Sequence, residues 1–358
     1  MSRLMALALM VLATITPAAS SASFAAVPTV FTVYMSPSGA DTNDGLSAAS
    51  AVHTLTRVHQ VLVAERPAVD VEVRISQGTY VAPQTTWSFY VPGRFVSFMP
   101  IDYEIGESRD GIAGLPVLRS NGTAGWWMAA RLPSGHPGGD TNLRFYYLQV
   151  EGYSTGGLYI NGGTQTNAQG ITVPSTAGAN HNTLYGMVFQ NLGSTHNASG
   201  FGYGAVDLVN SSDNFIRNNH FRYNENTGPN AGLIHGIYLA HWSKRNIIAS
   251  NRFSFISGGP MRTRNDSNGN DIYTNTFERA GGAAYSEWFC DAACVAANPG
   301  HGRECASHGN VFHENAVVSS YSGGAPNTWT LAPPGIDLTG GAGCDNEAQK
   351  RLRTYGNT

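Results

Sequence analysis

The sequence predicts an all-β chain wound as a parallel solenoid, and three observations predict it. One short phrase returns five times: Asn, any residue, an apolar residue, two further positions, then usually Asn, with an apolar residue two beyond. It reads NTLYGMVF from Asn182, NFIRNNHF from Asn214, NIIASNRF from Asn246, NDIYTNTF from Asn270 and NVFHENAV from Asn310. The phrase stays constant while its copies start 32, 32, 24 and 40 residues apart, as expected when insertions fall into loops on one side of a coil. Finally, the sixth position is Asn219, Asn251, Asn275 and Asn315 in the last four copies and Met187 in the first. One side-chain type at one repeat position implies stacking. Parallel strands lie about 4.8 Å apart, a spacing at which asparagine amides can hydrogen-bond along the stack.

Composition agrees. Only 13% of residues are charged and there are 42 glycines, which disfavours surface helices and suits strands joined by tight turns. A net charge of −3 provides no basic field to draw nucleic acid, so no nucleic-acid partner is expected. A coil whose turns use one another as core has no internal boundary, so residues 27–358 are expected to form one domain and to act as a monomer.

Taken in order, Met1 to about Ala26 has the pattern of a secretory signal. Arg3 opens it, residues 4–15 are apolar and uncharged, and Ser20-Ser21-Ala22 or Phe24-Ala25-Ala26 offers a cleavage site. The apolar run is too short for a span of about 30 Å of hydrocarbon, so export rather than membrane anchoring is expected. Val30–Met35 alternates like a strand and leads into a turn-rich stretch from Ser36 to Gly45. Thr54 can cap a short helix with Leu55, Val58 and Leu62 on one face, well placed to cover the open end of the coil. His53 and His59 there read as surface residues. Residues 69–75 and 79–81 read as strands. NLRFYYLQV (142–150) and GLYIN (157–161) read as an earlier turn of the coil, and residues 162–179 as loop. The repeats run nearly to Val318, and the last residues are expected to be mobile. Cys290, Cys294, Cys305 and Cys344 suit two disulfides in an exported chain, with three pairings open; no paired C-x-x-C favours zinc.

Three stretches carry a resemblance: YMSPSGADTNDGLSAASAVHTL, the VEVRISQGTYV strand pair, and the asparagine rungs. Together they make the chain resemble the single-stranded right-handed parallel β-helix proteins of the pectate-lyase-like superfamily. The resemblance covers most of the chain beyond the leader. It implies a secreted protein acting on an acidic polysaccharide, in a superfamily that also contains epimerases, glycoside hydrolases and phage tail fibres. Fold alone therefore leaves the activity open.

The chemistry-bearing residues come from a second strand that precedes each asparagine phrase: AVDLVN (205–210), GIYLAH (236–241) and PMRTRN (260–265). Alternation turns Val206, Leu208, Ile237, Leu239, Met261 and Thr263 inward. Asp207, Tyr238 and Arg262 then form one outward column on neighbouring rungs, with Arg264 beside it. Uronan lyases and epimerases must remove a barely acidic C5 proton. A cation has to neutralise the adjacent carboxylate, and proton-transfer groups must reach C5 and O4. Arg262 and Arg264 suit bidentate carboxylate binding. Tyr238 and His241 suit proton transfer, with Lys244 a further base if nearby arginines lower its pKa. Asp207, His235, Trp242 and Arg245 are expected to contact substrate; His235 falls on the inward parity.

The resemblance also implies calcium as one way to hold a uronate carboxylate. Asp207, Glu225, Asp266 and Asp271 are the oxygen ligands within reach in sequence. They form no carboxylate-rich strand, so arginine is expected to neutralise the substrate and no metal ligand is assigned. The leading expectation is β-elimination. A hydrolase needs two carboxylates across the bond, and Asp207 stands alone on its strand face; Glu278 and Glu287 would reach the groove only through loops. An Asp-Pro-His-Asp run, which the resemblance associates with epimerases, is absent; Tyr238 to His241 keep only the Tyr and His. The alternatives are a glycoside hydrolase or uronan C5-epimerase on the same groove, or a carbohydrate-binding protein without catalysis.

Overall fold

The computed structural model describes residues 30–107, 114–331, 344 and 352–358; the leader over 1–26 lies outside them. The described strands stack into three long sheets, one of ten strands and two of eight, whose internal pairings are parallel. A single coil illustrates the winding. Thr183–Tyr185 lies in the first sheet, Val188–Gln190 in the second and Gly204–Val209 in the third, and Phe215–Arg217 returns to the first. This is the right-handed parallel β-helix, the hand that right-twisted strands favour in parallel crossovers.

The repeated phrase spans one corner of the coil. Its apolar members point inward: Ile216, Phe221, Ile248, Phe253, Ile272, Phe277 and Phe312 are fully buried. Phe189, Phe221, Phe253 and Phe277 form a stack with centroids 5.3, 4.8 and 4.8 Å apart. Burying one such ring is worth roughly 2–3 kcal/mol.

Its asparagines form two ladders. In one, the Oδ1 of Asn214, Asn246, Asn270 and Asn310 each accepts the backbone N–H and the Nδ2–H of the asparagine one rung before, at 2.7–3.0 Å. The second runs through Asn219, Asn251, Asn275 and Asn315 with the same double acceptance. A buried corner that would otherwise strand several polar groups is thereby satisfied.

The N-terminal end is covered as expected. The helix Leu55–Glu65 begins at Thr54, whose hydroxyl accepts the Arg57 N–H at 3.1 Å. It buries Leu55, Val58, Val61 and Leu62 and packs on the strands Val30–Met35 and Thr85–Trp87.

Three expectations fail. Residues 162–179 are not all loop: Thr164–Thr166 and Thr172–Pro174 pair as an antiparallel hairpin. His59 is half-buried, its ring edge-on to Trp87 at 5.2 Å with Nε2 3.2 Å from Ser88 Oγ, and burial lowers its pKa. The chain end is ordered by the coil. Arg353–Tyr355 forms the last strand of the first sheet, and Asn357 Oδ1 accepts from Asn315 at 3.0 and 3.1 Å, adding a rung to the second ladder. The repeat's own chemistry extends to a segment that carries no full copy of the phrase. The four cysteines form two disulfides, Cys290–Cys294 and Cys305–Cys344.

Candidate functional site

The candidate site lies on the third sheet, whose outward face departs from the repeat. Tyr159, Asp207, Tyr238, Arg262 and Ser286 are successive Cα partners along one column. Arg131, Asn161, Val209, Ala240, Arg264 and Trp288 form the next column, two residues along each strand. The coil-to-coil register expected for Asp207, Tyr238 and Arg262 is thus the one observed.

Tyr238 is the centre of the cluster. Its phenol oxygen accepts from Arg264 Nη1 at 3.3 Å. Burial raises its pKa above the ordinary tyrosine value, and the Arg264 charge and hydrogen bond only partly offset this. Arg264 is locked in place. Its Nε and Nη2 donate to the two oxygens of Glu304 at 2.7 and 2.5 Å, and its guanidinium lies over the Trp288 ring at 4.3 Å. Burial opposes the Arg264 charge, yet Tyr238 and Glu304 outweigh it and raise its pKa. Arg262 differs. Its Nε donates to Ser286 Oγ at 3.0 Å, and among the described residues no carboxylate forms an ion pair with it. Burial lowers its pKa, with the nearby Arg264 adding to the effect. Of the two guanidinium groups, Arg262 is the one left to grip an incoming carboxylate.

Asp207 is more deeply set than a residue that merely touches substrate. It is 6% exposed, and among the described residues its Oδ1 has no hydrogen-bond partner. Burial pushes its pKa well above the carboxylate range, against a smaller effect of Arg264. His235 is also buried, yet it joins the wall rather than the interior that its parity predicts. As the first residue of the strand His235–Ala240, it sets its ring 5.1 Å from that of Tyr238. Its Nδ1–H donates to Gly259 O at 2.7 Å, so Nε2 holds the lone pair. Burial, helped by Arg262, lowers its pKa to about 3.

His241 stands where the strand has ended. It takes a left-handed backbone, φ 47°, between Asn210 at φ 47° and Asn265 at φ 48° on the neighbouring rungs, a conformation that Asn and His tolerate better than most residues. Asn265 fixes its tautomer. The Asn265 Oδ1 accepts the Cys305 N–H and its Nδ2 donates to Thr172 O, so the same Nδ2 donates to His241 Nδ1 at 3.1 Å. Neutral His241 therefore carries its proton on Nε2 and acts as a donor. Burial, opposed by Glu304 with an oxygen 3.7 Å away, lowers its pKa to about 4.

The basic turn after His241 separates from this cluster. Lys244 Nζ lies 3.8 Å from the Trp242 ring centroid, a cation–π contact. Arg245 turns to the preceding coil and pairs with Asp213 at 2.6 Å. Trp242 Nε1 is buried and, among the described residues, has no hydrogen-bond partner.

Sequence reasoning missed Glu304, Trp288 and Ser286. Ser286 and Trp288 were within reach, since AAYSEW alternates after the Asn270 rung; Glu304 comes from a loop with no periodicity. Glu287 needs no loop to be near: it lies in the strand Ala283–Trp288, in register with Thr263, and faces the interior. The oxygen ligands considered for calcium do not converge. Glu225 lies against His196, Asp266 binds Asn268, and Asp271 pairs with His313 on another sheet. No group of three His, Cys, Asp or Glu among the described residues could hold a metal ion.

No protein-family model and no curated protein matches this sequence. Among solved structures, the chain is similar to a rhamnogalacturonan lyase, with a TM-score of 0.51 and 14% identity over 91% of this chain and 87% of that one. The two share the parallel β-helix fold. An alginate lyase from Paenibacillus sp. has a TM-score of 0.48 at 14% identity, covering 91% of this chain and 94% of its own. A pectate lyase has a TM-score of 0.43 at 12% identity, covering 91% and 76%. At these identities the likeness is one of backbone, and the side chains of the third sheet have to be argued from their own chemistry.

Proposed function

We propose that the outward wall of the third sheet binds an acidic, uronate-containing polysaccharide outside the cytoplasm and cleaves it by β-elimination. The observation that carries this reading is the Tyr238 phenol, bonded to a locked Arg264 and flanked by an Arg262 that has no carboxylate partner among the described residues. The rhamnogalacturonan lyase supports the scaffold. The leader-like N-terminus and two disulfides support export.

In this reading Arg262 takes the uronate carboxylate and stabilises the charge that develops as the C5–H bond breaks. Tyr238 reacts as phenolate. It accepts the C5 proton, the C4–C5 double bond forms, and the C4–O4 bond breaks. The same proton passes from the phenol to O4, so the step balances within one residue when C5–H and O4 lie on one face. Arg264 favours the phenolate through its hydrogen bond, and Glu304 holds Arg264 in position. His241, neutral with its proton on Nε2, donates a hydrogen bond to substrate oxygen. Because burial raises the Tyr238 pKa, the phenolate fraction and kcat/KM rise with pH into the alkaline range. Burial raises the Asp207 pKa, which favours its uncharged form beside the phenolate.

The test is an ultraviolet assay for unsaturated uronate. The protein without its leader is incubated with polygalacturonate, alginate, glucuronan and glycosaminoglycans, with and without calcium, across a pH series. Absorbance should rise with at least one of them, faster at higher pH. No rise with any would sink the lyase reading, and shortened chains without a double bond would indicate hydrolysis.

A further inference from the structure

Upstream of Tyr238, on the same face, lies a cavity of about 270 Å³ lined by Arg131, Leu132, His136, Asn161, Ser175 and Thr176 among others, with no carboxylate in its lining. Arg131 belongs to the same outward column as Arg264, in the order Arg131, Asn161, Val209, Ala240, Arg264. Four rungs at about 4.8 Å set the two arginine positions roughly 19 Å apart along the wall. The two positions immediately before Arg264 carry small side chains, Val209 and Ala240.

The two arginines have opposite surroundings. Arg264 is neutralised by Glu304. Arg131 is exposed, its guanidinium lies 5.2 Å from the Tyr159 ring centroid, and no carboxylate among the described residues pairs with it. Neutral donors line the same cavity. His136 Nδ1 accepts the Gly138 N–H at 3.0 Å, which leaves the proton of the neutral ring on Nε2. Ser175 contributes an exposed hydroxyl. Trp126 stacks on Tyr159 at 5.1 Å and 20°, forming an aromatic surface next to the cation.

We propose that this cavity is a second anionic subsite, which takes the carboxylate of a uronate unit several sugars away from the unit held at Arg262. The inference rests on the reading of the third-sheet wall as a polyuronate groove and deepens it: the substrate is a chain with charge on more than one unit, and it runs lengthwise across the rungs. A forked guanidinium with neutral donors and no competing acid matches a carboxylate. A sulfate ester shares the anionic chemistry, so the experiment separates the two.

The experiment measures binding and cleavage by the wild type, Arg131→Gln and Arg131→Lys. The probes are oligogalacturonates and oligoalginates from disaccharide to octasaccharide, their carboxyl-reduced counterparts, and a sulfated neutral glycan. Arg131→Gln should lower the preference for long over short uronates roughly ten-fold, through KM rather than kcat and less so at high salt. Arg131→Lys should recover part of the preference, and carboxyl-reduced oligomers should show no difference between variants. Melting temperature verifies that each variant folds. An unchanged length preference in folded Arg131→Gln overturns the subsite while leaving the lyase reading intact. Binding governed by sulfate rather than carboxylate also overturns it. Absence of unsaturated product removes the lyase reading, but Arg131-dependent binding of long uronates would still support the subsite.

Discussion

The asparagine corner and the third-sheet wall are built on the same rungs and follow opposite rules. At the corner the copies repeat their chemistry, apart from Met187 in the first, and wherever one asparagine follows another the Oδ1 takes two donors from the rung before. On the wall, the column changes at every rung, from Tyr159 to Asp207, Tyr238, Arg262 and Ser286. It also keeps a buried carboxylate oxygen of Asp207 without a partner among the described residues. An unsatisfied buried group costs about 1–3 kcal/mol. The corner supplies register and stability, which lets the wall hold groups that do nothing for the fold. Repetition marks the scaffold, and its interruption marks the candidate site.

The comparison breaks if a wall residue behaves like a corner residue. Tyr238→Phe should lower the rate of unsaturated-product formation by about 10³-fold or more, with melting temperature almost unchanged. Substantial residual turnover would remove Tyr238 from proton transfer. Asn251→Ala should do the reverse. It removes the acceptor of Asn219 N–H and Nδ2–H and the donor to Asn275 Oδ1, costing about 2–4 kcal/mol in denaturant unfolding, while kcat per folded molecule holds.

Glu287 sharpens the comparison, because it lies between the two regions. Its carboxyl is fully inside the coil, bonded to Thr263 Oγ1 and to Ser307 N at 2.9 Å, and burial pushes its pKa up to about 7. The folded state therefore holds this proton more tightly than the unfolded chain. Its contribution is fully present below the unfolded carboxylate pKa and is lost as pH rises through about 7. Glu287→Gln should flatten that fall, which for the wild type is at most on the order of 3 kcal/mol. A wild-type stability that stays level over this range would show that Glu287 does not titrate there.

What the sequence revealed follows the same division. Periodic residues were legible: the rungs, the inward apolar positions, the Thr54 cap, and the register that sets Asp207, Tyr238 and Arg262 side by side. Strand alternation carries that information without reference to anything distant. The partners that decide each group's state were not legible. Glu304 locks Arg264 from 40 residues away, Asn265 decides which nitrogen of His241 is protonated, and Asp213 pairs with Arg245. The Glu304 contact depends on a loop path that no repeat dictates, whereas Asp213–Arg245 and Asn265–His241 join equivalent positions of neighbouring rungs and needed the side-chain directions to be seen. His235 misled because parity was extended to the first residue of a strand, where alternation no longer binds the side chain. The ordered terminus misled for the opposite reason: a single asparagine, Asn357, suffices to join the ladder.

Glu304 also ties the arginine clamp to sulfur. It accepts the Cys290 N–H at 2.9 Å and precedes Cys305 in the chain, so each disulfide has a member next to it. Cys305 N–H in turn orients the amide that selects the His241 tautomer. Folding with reduced thiols would leave the solenoid's corner intact, since no ladder residue depends on a cysteine, but would loosen the loop that aims the guanidinium. Reduction of the two disulfides is thus expected to disturb the candidate site before it disturbs the ladders.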